Sequence, residues 1–217
     1  MSKKDLDALQ ADAVEGSAAK PSTKTTDRKM RTRDLIYAGA FGAIYLVLML
    51  IIVMGSGAIP ILYLLTPLTV GLVCGTVYLL CVVKVHKFGA ALILGVLFAL
   101  VACSASIPGL VLGIAAALGA ELVLFLGKYR SKTAYLASFV VFNINMSAPF
   151  LMLLLAYDRF LEMVVGYRGQ AFADTFAALT PDGIWFAILG LALLGGLGRS
   201  FIGSRLIKKH FTKAGIV

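Results

Sequence analysis

Long apolar runs separated by short polar connectors dominate the chain after residue 34. A bilayer core takes about 20 helical residues. Six runs reach or approach that length: Leu35–Met54, Ile59–Val83, Phe88–Cys103, Ile107–Leu126, Ala134–Tyr157 and Ile184–Ile207. The third run is short alone and needs the residues beside it. Transmembrane β-strands would show short alternating segments, so the pattern predicts an all-α, polytopic membrane protein with six transmembrane helices.

Two segments depart from this pattern. Residues 1–33 are polar, mixed in charge and poor in aromatic side chains, which predicts a disordered cytoplasmic tail, with a short helix around residues 5–14 as an option. The membrane domain then covers residues 34–217. Its longest connector, residues 158–183 between the fifth and sixth helices, mixes charged with aromatic residues. We expect an interfacial or re-entrant helix at Gln170–Leu179 within this extracellular segment.

Composition excludes the soluble classes of protein. Hydrophobic residues make up 60% of the chain and charged residues only 14%, whereas soluble domains are about one quarter charged. One soluble core of this length cannot bury so much apolar surface. A soluble enzyme and a free nucleic-acid-binding domain are both excluded, and the net charge of +9 is interpreted as loop charge.

The distribution of basic residues predicts the orientation. With the N-terminus inside, 18 of the 20 Lys and Arg residues fall in the tail, the connectors 84–87 and 128–132 and the C-terminal end. Only Arg159 and Arg168 fall outside. Cytoplasmic loops of membrane proteins carry the excess of Lys and Arg. Both termini are therefore predicted to be cytoplasmic.

Catalytic and metal-binding patterns are missing from the sequence. There is no GxxxxGK[ST] phosphate-binding loop, so the chain is not expected to hydrolyse ATP itself. His86 and His210 both lie in cytoplasmic connectors, and the three cysteines have no metal-ligand spacing. We expect no enzyme activity, no metal and no cofactor.

Small residues recur at helical spacing in the first and last runs. The first run contains the pairs Ala38/Gly42 and Gly39/Ala43. The last run has a row of four: Ala192, Gly196, Ser200 and Ser204. Small residues let two helix backbones approach closely in lipid. The rows fit packing within the monomer and docking on another membrane protein equally well.

Glu121 and Arg199 are charged residues deep in apolar runs. A charge at such a depth is costly unless it is paired or reaches the interface. We expect the two to form a structural ion pair. A proton or cation relay through Glu121 is the alternative.

Polar residues interrupt the fifth run and suggest a ligand site. Asn143, Asn145 and Ser147 precede Pro149, a stretch that weakens a regular helix. A pocket open to the outside would use these three polar residues, with walls from Tyr63, Tyr157 and Trp185. The alternatives are an aromatic belt for the three rings, helix-to-helix hydrogen bonds for the asparagines, and a pocket beneath residues 158–183.

Several stretches carry a family resemblance: RDLIYAGAFGAIYLVLM, VKVHKFGAALILG, LGAELVLFLGKYRSK, VFNINMSAPF, GYRGQAFADTF and LIKKHFTKAGIV. The resemblance extends over residues 33–217. The chain resembles the Trep_Strep family, also called the MptD family of energy-coupling-factor (ECF) transporter S components.

The resemblance implies a six-helix subunit that binds a vitamin-like or other small molecule from outside. Such a subunit docks on a T component that carries two cytoplasmic ATPases, and its docking surface would include Ala38, Gly39, Gly42 and Ala43. Expected partners are the T component, the ATPases, membrane lipid and an unidentified small molecule, with no nucleic acid. A secondary transporter coupled through Glu121 and a ligand-free membrane scaffold are the alternative functions.

Overall fold

A computed structural model describes residues 30–104 and 106–213, with side chains up to Gly203. Residues 1–29 of the predicted tail, with its short helix, lie outside the described residues, and residues 32–33 already belong to the first helix. The described residues form ten α-helices and no strand. They are α1 Thr32–Ser56, α2 Pro60–Leu64, α3 Thr66–Val85, α4 Ala90–Ala102, α5 Ile107–Leu126, α6 Lys132–Asn143, α7 Met152–Leu155, α8 Tyr157–Arg168, α9 Gln170–Leu179 and α10 Ile184–Lys213.

Four of these helices are long and apolar enough to cross a membrane: α1, α3, α5 and residues 184–203 of α10. A fifth candidate is the pair Lys132–Ser147 and Pro149–Leu155, which is bent by 46°. The predicted third span is the 13-residue helix α4. At about 1.5 Å per residue it is shorter than a bilayer core of about 30 Å. Six full spans are therefore not established, and the structure supports four or five.

The predicted second run is divided in two. Helix α2 ends at Leu64, and α3 begins at Thr66 with Pro67 in its first turn. Proline lacks the N–H that would continue a preceding helix, and its fixed φ suits the first turn of a new one. The Thr66 hydroxyl also donates to the Tyr63 carbonyl at 2.5 Å, which satisfies a carbonyl at the break.

The fifth run has the interruption that its polar residues predicted. Ile144–Ser147 and Pro149–Leu151 are 3-10 turns between α6 and α7. The Ser147 hydroxyl donates to the Ile144 carbonyl at 2.7 Å, and Pro149 has no N–H to continue an α-helix. The break lies within the bundle and turns the following chain by the 46° noted above.

Close backbone contacts join the long helices. Helix α3 packs against α1 and α10, α5 packs against α4 and α6, and α6 also packs against α10. A Cβ added to Gly71 on α3 would lie 2.9 Å from the Gly195 carbonyl carbon on α10. These two glycines therefore set how closely α3 and α10 can approach.

The small-residue row of the last run packs within the monomer. Ala192 is fully buried, and a Cβ added to Gly196 would lie 2.9 Å from the Val140 Cα on α6. The Ser200 hydroxyl donates to the Leu136 carbonyl at 3.0 Å. Three of the four residues thus hold α10 against α6, and the side chain of the fourth, residue 204, lies beyond those described.

The bundle has two different ends. The start of α1 and the connectors 86–89 and 127–131 lie at one end, which we call the basic end because it carries Lys87, Lys128 and Arg130. The short helices α2, α7, α8 and α9 lie at the opposite end. There they enclose a separate apolar cluster that includes Leu64, Phe160 and Phe176. The predicted connector helix is α9, and it has the predicted bounds.

Candidate functional site

A cavity of about 410 Å³ lies at the opposite end of the bundle. It is within the usual size range of small-molecule sites. Its lining is mostly apolar and aromatic, with Ser106 and Arg168 as its main polar members. The apolar lining consists of Met54, Tyr63, Ala102, Cys103, Pro149, Met152, Phe160, Met163, Val164, Tyr167 and Phe172. A smaller cavity of about 130 Å³ adjoins it and shares Tyr63, Ala102 and Pro149.

Helices α8 and α9 supply one wall of the larger cavity. Phe160 and Val164 are buried one turn apart on α8, so that face of the helix points inward. The Phe172 and Phe176 rings of α9 stack with centroids 6.2 Å apart. Gly169 joins the two helices at φ +85°, a conformation that favours glycine and lets α9 fold back beside α8.

Tyr63 is the predicted site residue that the structure places at the cavities. Its ring centroid lies 5.2 Å from that of Phe150, 6.1 Å from Phe176 and 6.5 Å from Phe172. Burial raises the pKa of its hydroxyl, and the positive charge of Arg168 acts in the opposite direction. Tyr63 therefore stands between the aromatic cluster and the cationic side of the cavity.

Tyr157 and Trp185 support the wall without lining the cavities. The Tyr157 hydroxyl donates to the Thr180 carbonyl at 3.1 Å, which fastens the start of α8 to the end of α9. The Trp185 indole N–H donates to the Ser147 carbonyl at 3.1 Å, which fastens α10 to the 3-10 turn. The structure thus gives both residues bracing roles and does not bring them into the predicted pocket.

Asn143 connects three helices. It is fully buried, and its Nδ2 donates to the Ala192 carbonyl on α10 at 2.6 Å and to the Pro67 carbonyl on α3 at 3.3 Å. Gly71 leaves the space for this amide, because a Cβ there would lie 2.5 Å from Nδ2. This arrangement matches the alternative in which the asparagines bond to neighbouring helices.

Asn145 and Ser147 belong to neither cavity lining. The Ser147 hydroxyl donates its hydrogen bond to the Ile144 carbonyl one turn earlier. Asn145 is fully buried, and neither atom of its amide group has a hydrogen-bond partner among the described residues. Unsatisfied buried amides are unusual. The three predicted polar residues therefore have separate roles. Asn143 bonds to two neighbouring helices, Ser147 bonds within its own turn, and the Asn145 amide has no partner among the described residues.

Glu121 caps the N-terminus of α4. Its Oε2 accepts hydrogen bonds from the backbone N–H groups of Ala91 at 3.0 Å and Leu92 at 3.2 Å. Its Oε1 accepts from the Tyr129 hydroxyl at 2.7 Å. Burial raises the pKa of the Tyr129 hydroxyl, and this hydrogen bond to Glu121 is a second, smaller cause in the same direction. A carboxylate at this position satisfies free N–H groups and complements the positive end of the helix dipole.

The predicted ion pair between Glu121 and Arg199 is not formed within the described part of the chain. The α4 amides and Tyr129 occupy the carboxylate instead. Arg199 is buried, and its Nε has no hydrogen-bond partner among the described residues. Its stem packs beside Gly75, where an added Cβ would lie 2.6 Å from the Arg199 Cγ.

The two small-residue pairs of α1 face different directions. Ala38 and Gly42 are buried, and a Cβ on Gly42 would lie 2.7 Å from the Leu97 Cδ1 on α4. Gly39 would meet no atom within 4 Å, and Ala43 is exposed. The pair Ala38/Gly42 therefore packs within the monomer, and Gly39/Ala43 remains on the outer surface.

Sequence reasoning did not single out most of the cavity lining. The available signal was the spacing on α8, where Phe160, Met163, Val164 and Tyr167 follow the i, i+3, i+4, i+7 pattern of one helix face. Ser106 and Arg168 gave no such signal, because each lies at a helix end. No group of three His, Cys, Asp or Glu side chains is placed to hold a metal in the region that the structure covers.

The all-helical bundle with several apolar spans defines a polytopic integral membrane protein. Its family model is described as "hypothetical bacterial integral membrane protein (Trep_Strep)" and matches residues 32–213. The chain belongs to this family. Neither the curated proteins nor the solved structures gave a match.

Proposed function

We propose that this chain is the substrate-binding S component of an ECF-type importer. In this role it captures a small molecule from outside and docks on a T component that carries two cytoplasmic ATPases. The observation that carries the proposal is the cavity of about 410 Å³ at the end of the bundle away from the basic connectors. The resemblance of residues 33–217 to S components supports the same role.

Charge supports the orientation that an importer needs. The basic end carries most of the Lys and Arg residues of the membrane domain, and cytoplasmic loops are enriched in them. With the basic end inside a bacterial plasma membrane, the cavity faces outward and both termini are cytoplasmic. A substrate would then enter between α8, α9 and the α1–α2 connector.

The outer face of α1 supports a docking role. Gly39 and Ala43 present little side chain there, so another helix could approach the α1 backbone closely. The chain has no ATP-binding loop, and energy would come from the partner ATPases. Glu121 is occupied as a helix cap, which gives no support to the alternative of ion-coupled transport.

Affinity purification tests this proposal. The chain, carrying a tag, is co-expressed with a T component and the two ATPases from the same genome. We expect all three partners to co-purify in dodecyl maltoside and ATP to drive substrate uptake in cells. Normal expression of the four proteins without co-purification would contradict the S-component function.

A further inference from the structure

Arg168 is the charged residue among those that line the larger cavity. It lies in the last turn of α8, beside the turn at Gly169. The four carboxylates of the same connector are exposed, as Arg168 is, but they do not belong to the lining: Asp158, Glu162, Asp174 and Asp182. Asp174 accepts a hydrogen bond from the Gln170 side-chain amide at 2.8 Å. The charge that faces the cavity is therefore positive.

Gly57 makes room for this guanidinium. A Cβ added to Gly57 would lie 2.8 Å from the Arg168 Cζ and 3.0 Å from the Val53 carbonyl oxygen. The backbone of Gly57 is at φ −66° and ψ −6°, which any residue adopts readily. The glycine at residue 57 is therefore explained by the space that it leaves and not by its backbone conformation. The Arg168 head group occupies that space beside the α1–α2 connector.

Flat and adaptable side chains complete the cavity. Tyr63 and Phe172 present rings whose planes meet at 71°. Methionines at residues 54, 152 and 163 add flexible apolar surface. Aromatic rings favour planar partners, and methionine adapts to irregular shapes. The walls thus suit an apolar body, with one cationic side chain at its edge.

We infer that this cavity binds a small organic anion with a planar or apolar body, whose acidic group is bound by Arg168. As a substrate class, this inference rests on the function proposed above. A guanidinium matches a carboxylate by donating two parallel hydrogen bonds. Neither a cation nor a highly polar sugar-like molecule fits a lining with this charge and so few polar groups.

The test compares two probes of the same shape, the charged acid 2-naphthoate and the neutral amide 2-naphthamide. The full chain is purified in the uncharged detergent dodecyl maltoside, and binding is measured by calorimetry and by the thermal unfolding temperature. We expect naphthoate to bind about tenfold or more tightly than the amide, the effect of one charge-assisted hydrogen bond. Arg168→Gln should abolish this preference, and Gly57→Val should weaken it by displacing the guanidinium.

Arg159→Gln is the matched control, because Arg159 is an exposed arginine of the same helix that does not line the cavity. It should keep the preference for the acid. Equal affinity for acid and amide, or no binding of either probe, would overturn the inference. Displacement of naphthoate by phosphatidylglycerol would assign Arg168 to a lipid headgroup and would also overturn it.

Co-purification with the T component separates this inference from the proposed function. Arg168→Gln should still co-purify with the T component and the ATPases. If the native chain prefers the acid but fails to co-purify, the importer function is wrong and the anion site stands. If it co-purifies without any preference for the acid, the anion inference alone fails.

Discussion

The hydroxyl of Tyr129 donates to the carboxylate of Glu121 at 2.7 Å, and this bond ties the α5–α6 connector to α5 near the basic end. The other carboxylate oxygen holds the first turn of α4 through the N–H groups of Ala91 and Leu92. Tyr129 itself is in the left-handed region at φ +54° and accepts a hydrogen bond from the Tyr135 hydroxyl. One buried acid on α5 thus ties the start of α4 to the α5–α6 connector.

We expect Glu121→Ala to destabilise the protein by about 1.5–3 kcal/mol, because hydrogen bonds to a charged acceptor are lost and the α4 amides lose their cap. Tyr129→Phe should cost about 1 kcal/mol. Thermal unfolding and SDS titration in dodecyl maltoside measure both. Arg199→Met provides the comparison, and its effect should add to that of Glu121→Ala, since the two residues are not paired. A double variant that recovers stability would contradict the structure.

Gly42→Leu and Ala43→Leu should have different effects. A Cβ added at Gly42 would lie only 2.7 Å from the Leu97 Cδ1. The leucine should therefore overpack the interior and lower the free energy of unfolding by about 1–3 kcal/mol. Ala43 is exposed, so its substitution should leave the unfolding temperature unchanged but reduce recovery of the T component in co-purification. Ala115→Leu is the matched control, because Ala115 is an exposed alanine on α5. It should change neither the unfolding temperature nor the recovery of the T component. Full recovery with Ala43→Leu would exclude this face of α1 from docking.

The two buried asparagines should also behave differently. Asn143→Ala removes two interhelical hydrogen bonds, for which we expect a loss of about 1 kcal/mol in a membrane protein. Asn145→Leu replaces an amide without a partner among the described residues, and should be neutral or stabilising. Unfolding temperatures of the two variants, compared in the same detergent, check this. A larger loss for the leucine variant would show that Asn145 binds something in the native protein.

Cysteine labelling tests the orientation. The native cysteines are buried, so single cysteines can be added directly. We expect Ala171→Cys, at an exposed position of α9, to react in intact cells with a membrane-impermeant maleimide. Thr133→Cys, exposed near the basic end, should react only after the cells are opened. The reverse pattern would invert the topology.

The apolar runs predicted the long helices well where the chain has no local break. Ile107–Leu126 was predicted as one run and is one helix with the same bounds. Hydropathy did not reveal the division at Leu65, because both sides of the break are equally apolar. The Thr66–Pro67 step was the local signal there, since a proline favours the first turn of a new helix.

The site residues were harder to predict, because their partners come from distant parts of the chain. Nothing near Glu121 in sequence shows that it meets Ala91, 30 residues away. Glu121 and Arg199 lie at similar depth and so suggested an ion pair. In the structure the Glu121 carboxylate bonds instead to the free backbone N–H groups at the start of α4. Arg168 and Gly57 likewise meet only when α8 folds over the end of α1. Such contacts depend on packing, and residue type and spacing do not encode them.

The separation of the two apolar clusters has a consequence for which substitutions this chain can tolerate independently. The bundle cluster is built on residues such as Tyr78 and Phe139, and the cluster around the cavity is built on others such as Phe160 and Phe176. Substitutions in sets that share few contacts have nearly additive effects. Substitutions in the cluster that includes Phe160 and Phe176 should therefore alter the cavity walls while they change the stability of the bundle cluster little.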